Sequence, residues 1–199
     1  SLATSKKINS WKIQWSNESS KALLDIGNDY FILEPFSSAD KTIYQPLFKN
    51  TKEIYFNPQN SDETFFLKNG SIYSTLREDP ILNNVISYQI ANQRINWFSS
   101  DGFLYESDFL GNTTNKISQK TFSIKKDNSY KLTVLERATF LQENKVLFLF
   151  NQDQKIFVEF HNNIKEIKVS SNGEQIVYFN DNEILYNDFN LNNENNGQK

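Results

Sequence analysis

The chain is 199 residues long, with a formal net charge of −3 and 38% hydrophobic, 15% aromatic and 23% charged residues. That much apolar and aromatic material excludes a disordered chain and suffices for one generous domain or two small ones. The acidic balance argues against a general phosphate-binding surface. No Cys and a single His remove disulfides, thiolate nucleophiles, iron–sulfur clusters, Cys-ligated zinc and multi-histidine metal sites.

The stretch Ser1-Leu2-Ala3-Thr4-Ser5-Lys6-Lys7 lacks the apolar core of about 7–15 residues that a signal peptide needs. No run reaches the roughly 18–20 apolar residues of a membrane helix, and the chain contains no Met. It reads as a piece excised from a longer protein, with any anchor or export signal upstream of Ser1. Ile13-Gln14-Trp15-Ser16 alternates apolar and polar residues as a half-buried strand does. The polar turn Asn17-Glu18-Ser19-Ser20 leads to a second strand at Ala22-Leu23-Leu24, and a tip at Asn28 leads to a third through Tyr30-Phe31-Ile32.

The same order of strand, polar turn, strand, tight turn and strand returns along the chain. Ile54-Tyr55-Phe56-Asn57-Pro58 precedes a hairpin whose tip, Asn69, joins Phe65-Phe66-Leu67 to Ser71-Ile72-Tyr73. Val85-Ile86-Ser87-Tyr88 precedes one whose tip, Asp101, joins Trp97-Phe98 to Phe103-Leu104-Tyr105. A fourth tip is assigned to Asp153, between Leu149-Phe150 and Ile156-Phe157. The fifth copy runs from Ile167-Lys168-Val169-Ser170 through Ile176-Val177-Tyr178 to a tip at Asn182 and on to Ile184-Leu185-Tyr186. Aromatic and branched residues favour strands, and Asn or Asp at the tip tolerates the positive φ of tight hairpins. The five tips lie about 41, 32, 52 and 29 positions apart, a mean of about 39, close to the 40–45 residues of a four-stranded propeller blade. Copies one and five superimpose without a gap at an offset of about 154.

The longest interval, between Asp101 and Asp153, holds Leu110-Gly111-Asn112-Thr113-Thr114-Asn115, Phe122-Ser123-Ile124 and Lys125-Lys126-Asp127-Asn128. It reads as an outer strand, a crossing between repeats and a protruding loop. Lys131 to Ala138 could be drawn as a helix, but its β-branched content and flanks suit a strand. The expected organisation is one all-β domain over residues 1–191, about five antiparallel blade-like repeats, and a polar disordered tail over 192–199.

Chemical signals are sparse. His161, after Glu159-Phe160 and before Asn162-Asn163, has no nucleophile pattern beside it and reads as an exposed turn residue. There is no G-x-S-x-G elbow, no calcium loop of the Asp-x-Asp-x-Asp-Gly type and no glycine-rich phosphate cradle. Ser99-Ser100-Asp101-Gly102 resembles part of a sialidase Asp-box, itself a structural turn, and Asn180-Asp181-Asn182-Glu183 reads as a hairpin tip rather than a metal site. Lys6-Lys7 and Lys125-Lys126 read as solvated pairs. Trp11, Trp15 and Trp97 read as packing between repeats, as do Tyr73, Tyr105 and Tyr186, which recur at one template position.

Ser170-Ser171-Asn172-Gly173-Glu174-Gln175-Ile176-Val177-Tyr178-Phe179 resembles the Ser-Pro-Asp-Gly-Lys signature of WD-like repeats, the kind found in the TolB propeller, with Ser171 for the usual Pro and Asn172 for the usual Asp. The chain is more loosely similar to propeller segments that follow a PEGA domain in bacterial envelope proteins. The resemblance implies a propeller fold and an extracytoplasmic address, and it implies no activity. The resulting expectation is a non-catalytic module that binds or scaffolds a protein or glycan, monomeric, with no metal, cofactor or nucleic-acid partner and with no catalytic residue assigned. A carboxylate-dependent glycan-processing enzyme and a purely structural spacer are the alternatives.

Overall fold

The computed structural model describes residues 12–26, 29–34, 43–46, 51–170 and 175–188. These residues form strands and turns only; among them no helix is long and apolar enough to cross a membrane. Every sheet is an antiparallel meander whose strands follow in chain order. The chain divides into two compact units, one ending at Val85 and the other starting at Ile86.

The first unit holds two sheets. Sheet one is built from β1 (Lys12–Trp15), β2 (Ala22–Ile26), β3 (Asp29–Glu34) and β4 (Ile43–Pro46). Sheet two is β5 (Lys52–Asn57), β6 (Asn60–Lys68) and β7 (Ser71–Ser74), with a bridge from Ile72 to Leu82 where a fourth strand would begin. Leu23, Tyr30 and Ile32 project from one face of sheet one and pack on Ile54, Phe56, Phe66 and Tyr73 of sheet two. The turns above them meet as well. Asn17 Nδ2 donates to Pro58 O at 2.9 Å, and Lys21 pairs with Asp62, both contacts joining positions 41 apart. Repeats one and two thus stack with like parts facing, at the spacing the tips Asn28 and Asn69 suggest.

The second unit holds three sheets. Sheet three is β8 (Val85–Ala91), β9 (Arg94–Ser99), β10 (Leu104–Ser107) and β11 (Thr114–Lys116). Sheet four is β12 (Tyr130–Val134), β13 (Thr139–Glu143), β14 (Val146–Asn151) and β15 (Ile156–His161). Sheet five is β16 (Glu166–Val169), β17 (Gln175–Phe179) and β18 (Ile184–Asp188). Leu104 of sheet three packs on Leu132, Val134 and Phe150 of sheet four. On its other side sheet four buries Phe140 and Leu147 against Ile167, Ile176 and Tyr178 of sheet five. Ser87 Oγ accepts from Leu132 N at 2.8 Å, and Gln89 Oε1 accepts from Val134 N at 2.7 Å. Both bonds span 45 positions, so β8 and β12, the first strands of consecutive sheets, lie side by side and point the same way.

Several expectations hold at this level, and three need correcting. Of the stretch Lys131–Ala138, Lys131–Val134 is strand, as its β-branched content suggests, and Leu135–Ala138 forms the turn to the next strand. Asn69 and Asp101 lie in the turn between the second and third strands of their sheets, and so does Asn182; Asn28 falls outside the described residues. Asp153, by contrast, sits between the third and fourth strands of sheet four. The equivalent tip there is Asn144, with φ +52°, the value Asn69 also takes. The fourth copy was therefore placed one hairpin late, because Phe150 and Phe157 imitate the aromatic flanks of the other tips. Trp97 is buried and stacks on Tyr105 with ring centroids 5.2 Å apart, whereas Trp15 and Tyr186, also read as packing residues, are exposed, and Trp11 lies outside the described residues. His161 ends β15 half-buried, its ring 5.0 Å from that of Tyr178, instead of standing in an open turn.

Candidate functional site

Three hydrogen-bonded carboxylates, Glu63, Glu143 and Asp101, show how polar side chains hold strands and turns together. Glu63 accepts from Asn57 Nδ2 at 2.6 Å and from the Ser74 hydroxyl, tying all three strands of sheet two together. Glu143, buried at the end of β13, accepts from Tyr130 Oη at 2.8 Å and Asn128 Nδ2 at 2.7 Å, with Lys125 Nζ at 3.6 Å. Lys125 is therefore an ion-pair partner rather than a merely solvated residue, and the crossing before β12 is pinned to sheet four. Asp101 accepts from the Ser99 hydroxyl, from Phe103 N at 3.3 Å and from Tyr105 Oη at 3.0 Å. Burial works against its ionisation, but these donors outweigh it and hold the carboxyl below its ordinary range. Each group lies in a different sheet and is met by donors from its own neighbourhood, which is the pattern of a turn clamp, not of a catalytic pair.

A different arrangement stands at the opposite end of sheet three from Asp101. Asn92 and Gln93, both at positive φ (+52° and +57°), form the two-residue turn between β8 and β9. This is the geometry that matches the twist of a tight hairpin. Across from it, the chain leaves β10 at Ser107 and loops back to β11 around Asp108. One carboxylate oxygen of Asp108 accepts from Leu110 N at 3.0 Å and Asn112 N at 2.9 Å; the other accepts from Thr113 Oγ1 at 2.8 Å. The Thr113 hydroxyl and the two amides hold this carboxyl below its usual range, so Asp108 stays charged and the loop stays shaped.

Between the turn and the loop lies an open recess of about 480 Å³, lined by Asn92, Gln93, Arg94, Asp108 and Thr113. Every lining residue is polar. Arg94 makes no ion pair among the described residues, and the oxygens of Asp108 are engaged by its own loop. A guanidinium and two carboxamides lining one recess can donate several hydrogen bonds to a carboxylate or to neighbouring hydroxyls, and the Thr113 hydroxyl, its proton given to Asp108, can accept one. They include neither a nucleophile–base pair nor two opposed carboxylates free to act.

None of these five residues was singled out in the sequence as a site, although Thr113 lies in the long interval read as an outer strand, a crossing and a protruding loop. The signal was there in part: Asp108-Phe109-Leu110-Gly111-Asn112-Thr113 carries the Asp and Gly of an Asx-type turn. Its proximity to the Asn92-Gln93 hairpin depends on the register of β9 with β10, which local composition does not encode.

The fold and its recess define a class: an all-β chain of five sequential antiparallel sheets among the described residues, with a polar recess at the strand ends of one of them. No family model matches the chain, and none of the curated proteins matches it. Among solved structures 431 chains match. One is the crystal structure of a computationally designed protein, Ika8, with 8% sequence identity and a TM-score of 0.55; the match covers 89% of this chain and 57% of that one. The chain thus spans little more than half the length of that protein. At such low identity the likeness concerns fold alone.

Proposed function

We propose that the five sheets are successive blades of a β-propeller, and that the chain is a non-catalytic binding module of a bacterial envelope protein, acting outside the membrane. Two features support the propeller. Each sheet is a meander in chain order, and sheets one and two, and sheets three and four, meet through corresponding parts. The extracytoplasmic address rests on the resemblance of residues 170–179 to WD-like repeats of the TolB kind.

The observation that carries the binding role is the recess around Arg94. There a cation with no ion pair among the described residues stands beside two carboxamides and a hydroxyl, while Glu63, Glu143 and Asp101 are engaged in holding strands and turns. A rigid strand-end platform of this kind suits an acidic glycan or an acidic peptide segment, with Arg94 meeting the carboxylate and Asn92, Gln93 and Thr113 reading the hydroxyls or amides around it. Titration calorimetry with uronate-containing and neutral oligosaccharides, and with acidic peptides, tests this. The acidic ligands are expected to bind and Arg94→Ala to weaken them at least tenfold, the cost of about 1.5–3 kcal/mol for a charged hydrogen bond. Binding that ignores Arg94→Ala, or none across the panel, contradicts the assignment.

A further inference from the structure

The Arg94 recess is lined by two charges of opposite sign that do not meet. Strands β9 and β10 pair antiparallel with Ile95 opposite Ser107, and the same register carried one position further sets Arg94 opposite Asp108. Cross-strand neighbours stand about 5 Å apart at Cβ, and opposite charges so placed attract each other. Arg94 nevertheless makes no ion pair among the described residues. Asp108 is turned into its own loop instead, where Leu110 N, Asn112 N and Thr113 Oγ1 donate to it at 3.0, 2.9 and 2.8 Å.

All three donors are neutral. They satisfy the carboxylate without cancelling its charge, and they favour its ionised form. The recess therefore has two unlike sides. On one, the guanidinium of Arg94 can only donate hydrogen bonds. On the other, Thr113 Oγ1 has given its proton to Asp108, so it offers lone pairs, with a negative charge directly behind it. The carboxamides of Asn92 and Gln93 donate and accept, and so suit either side. A simple anion would be drawn by Arg94 and opposed by Asp108.

We infer that the ligand of this recess is dipolar, with a carboxylate and an ammonium a short span apart, which is the chemistry of an amino acid or a peptide end and not of a uronate glycan. The inference rests on the binding role proposed for Arg94 and narrows it. The carboxylate meets the guanidinium; the ammonium donates to Thr113 Oγ1 and is held by the charge of Asp108. A closed Arg94–Asp108 pair would leave neither charge for a ligand, and the donors of the loop are what keep it open. At about 480 Å³ the recess has room for a dipeptide.

The test is a titration of isotope-labelled protein, followed at the amides of residues 92–94 and 108–113. The probes are glycine, β-alanine, γ-aminobutyrate and glycylglycine, each free and N-acetylated, with glucuronate as an acid that has no amine. At the spacing that fits, the free amine is expected to bind about three- to tenfold more tightly than its acetylated form, and more tightly than glucuronate. Asp108→Asn is expected to erase that preference, and Arg94→Ala to weaken both forms. Because Asp108→Asn also alters the loop, a second arm uses the wild-type chain alone: for glycylglycine the preference should vanish as pH rises past about 8, where a peptide amine loses its charge. An amine that confers no advantage at any spacing, or an advantage that persists in Asp108→Asn or above that pH, overturns the inference. Acids that bind through Arg94 whether or not they carry an amine overturn it while leaving the Arg94 assignment standing. Binding by none of the probes, or binding indifferent to Arg94→Ala, overturns both.

Discussion

At the scale of single residues, backbone geometry decides more than side-chain chemistry. Gly102 sits at φ +81° in the turn after Asp101, and a Cβ built there would run into the carbonyl of Phe122. Phe122 in turn holds the crossing between sheets three and four, its ring 4.8 Å from Phe148 and 5.8 Å from Phe98. Gly70, at φ +76°, has nothing closer than 3.7 Å to the same position. Gly102→Ala is therefore expected to cost about 2–3 kcal/mol and Gly70→Ala about 1 kcal/mol, read as two separate denaturation midpoints. Equal losses would mean that the Phe122 contact is absent in solution. Asp108 yields a pH prediction. Its carboxyl titrates lower in the folded chain than its ordinary value of 3.8, so the unfolded chain takes up the proton first. The resulting stability is complete above that ordinary value and is lost as pH falls through the folded one. Asp108→Asn should accordingly be less stable than wild type at neutral pH, with the gap closing as the solution is acidified below about pH 4. A gap that persists unchanged in acid would show that the charge is not what shapes the loop.

At the scale of elements, the strands and most tips were legible because each rests on local signals: alternation, aromatic flanks, and Asn, Asp or Gly where φ turns positive. Tyr73 and Tyr105 were legible as a repeated position, and their stacking on Phe66 and Trp97, both at an interplanar angle of 15°, is the packing that position serves. The fourth repeat misled because its third and fourth strands carry the aromatic pairs as well. Taking Asn144 as its tip changes the last two spacings from about 52 and 29 to about 43 and 38, close to the 40–45 of a four-stranded repeat. Phe148 then occupies the tyrosine position, opposite Leu141. The correction has a measurable consequence. Asn144 accepts from Ser129 N at 2.9 Å and donates its own amide to Ser129 O at 2.9 Å, whereas Asp153 stands exposed in its turn. Asn144→Ala should lower stability by about 1–2 kcal/mol and Asp153→Ala by less than about 0.5 kcal/mol. The recess around Arg94 was not legible, since its two walls are sixteen residues apart in sequence and meet only through strand pairing.

At the scale of the whole molecule, the account rests on one relation: sheet one meets sheet two, and sheet three meets sheet four, through corresponding parts at the repeat spacing. The relation explains why glutamine and serine side chains on β8 meet the backbone of β12, and why the first turns of sheets one and two share a hydrogen bond and an ion pair. At 23.3 kDa and without cysteine, the chain suits solution spectroscopy. The most direct test is a nuclear Overhauser spectrum of isotope-labelled protein, searched for contacts between sheets. Cross-peaks are expected from the Leu132 amide to the Ser87 side chain, from the Val134 amide to the Gln89 carboxamide, and from the Asn17 carboxamide to Pro58. Strands paired as described but with those cross-peaks missing, or with inter-sheet contacts at other spacings, would contradict the stacked-repeat account.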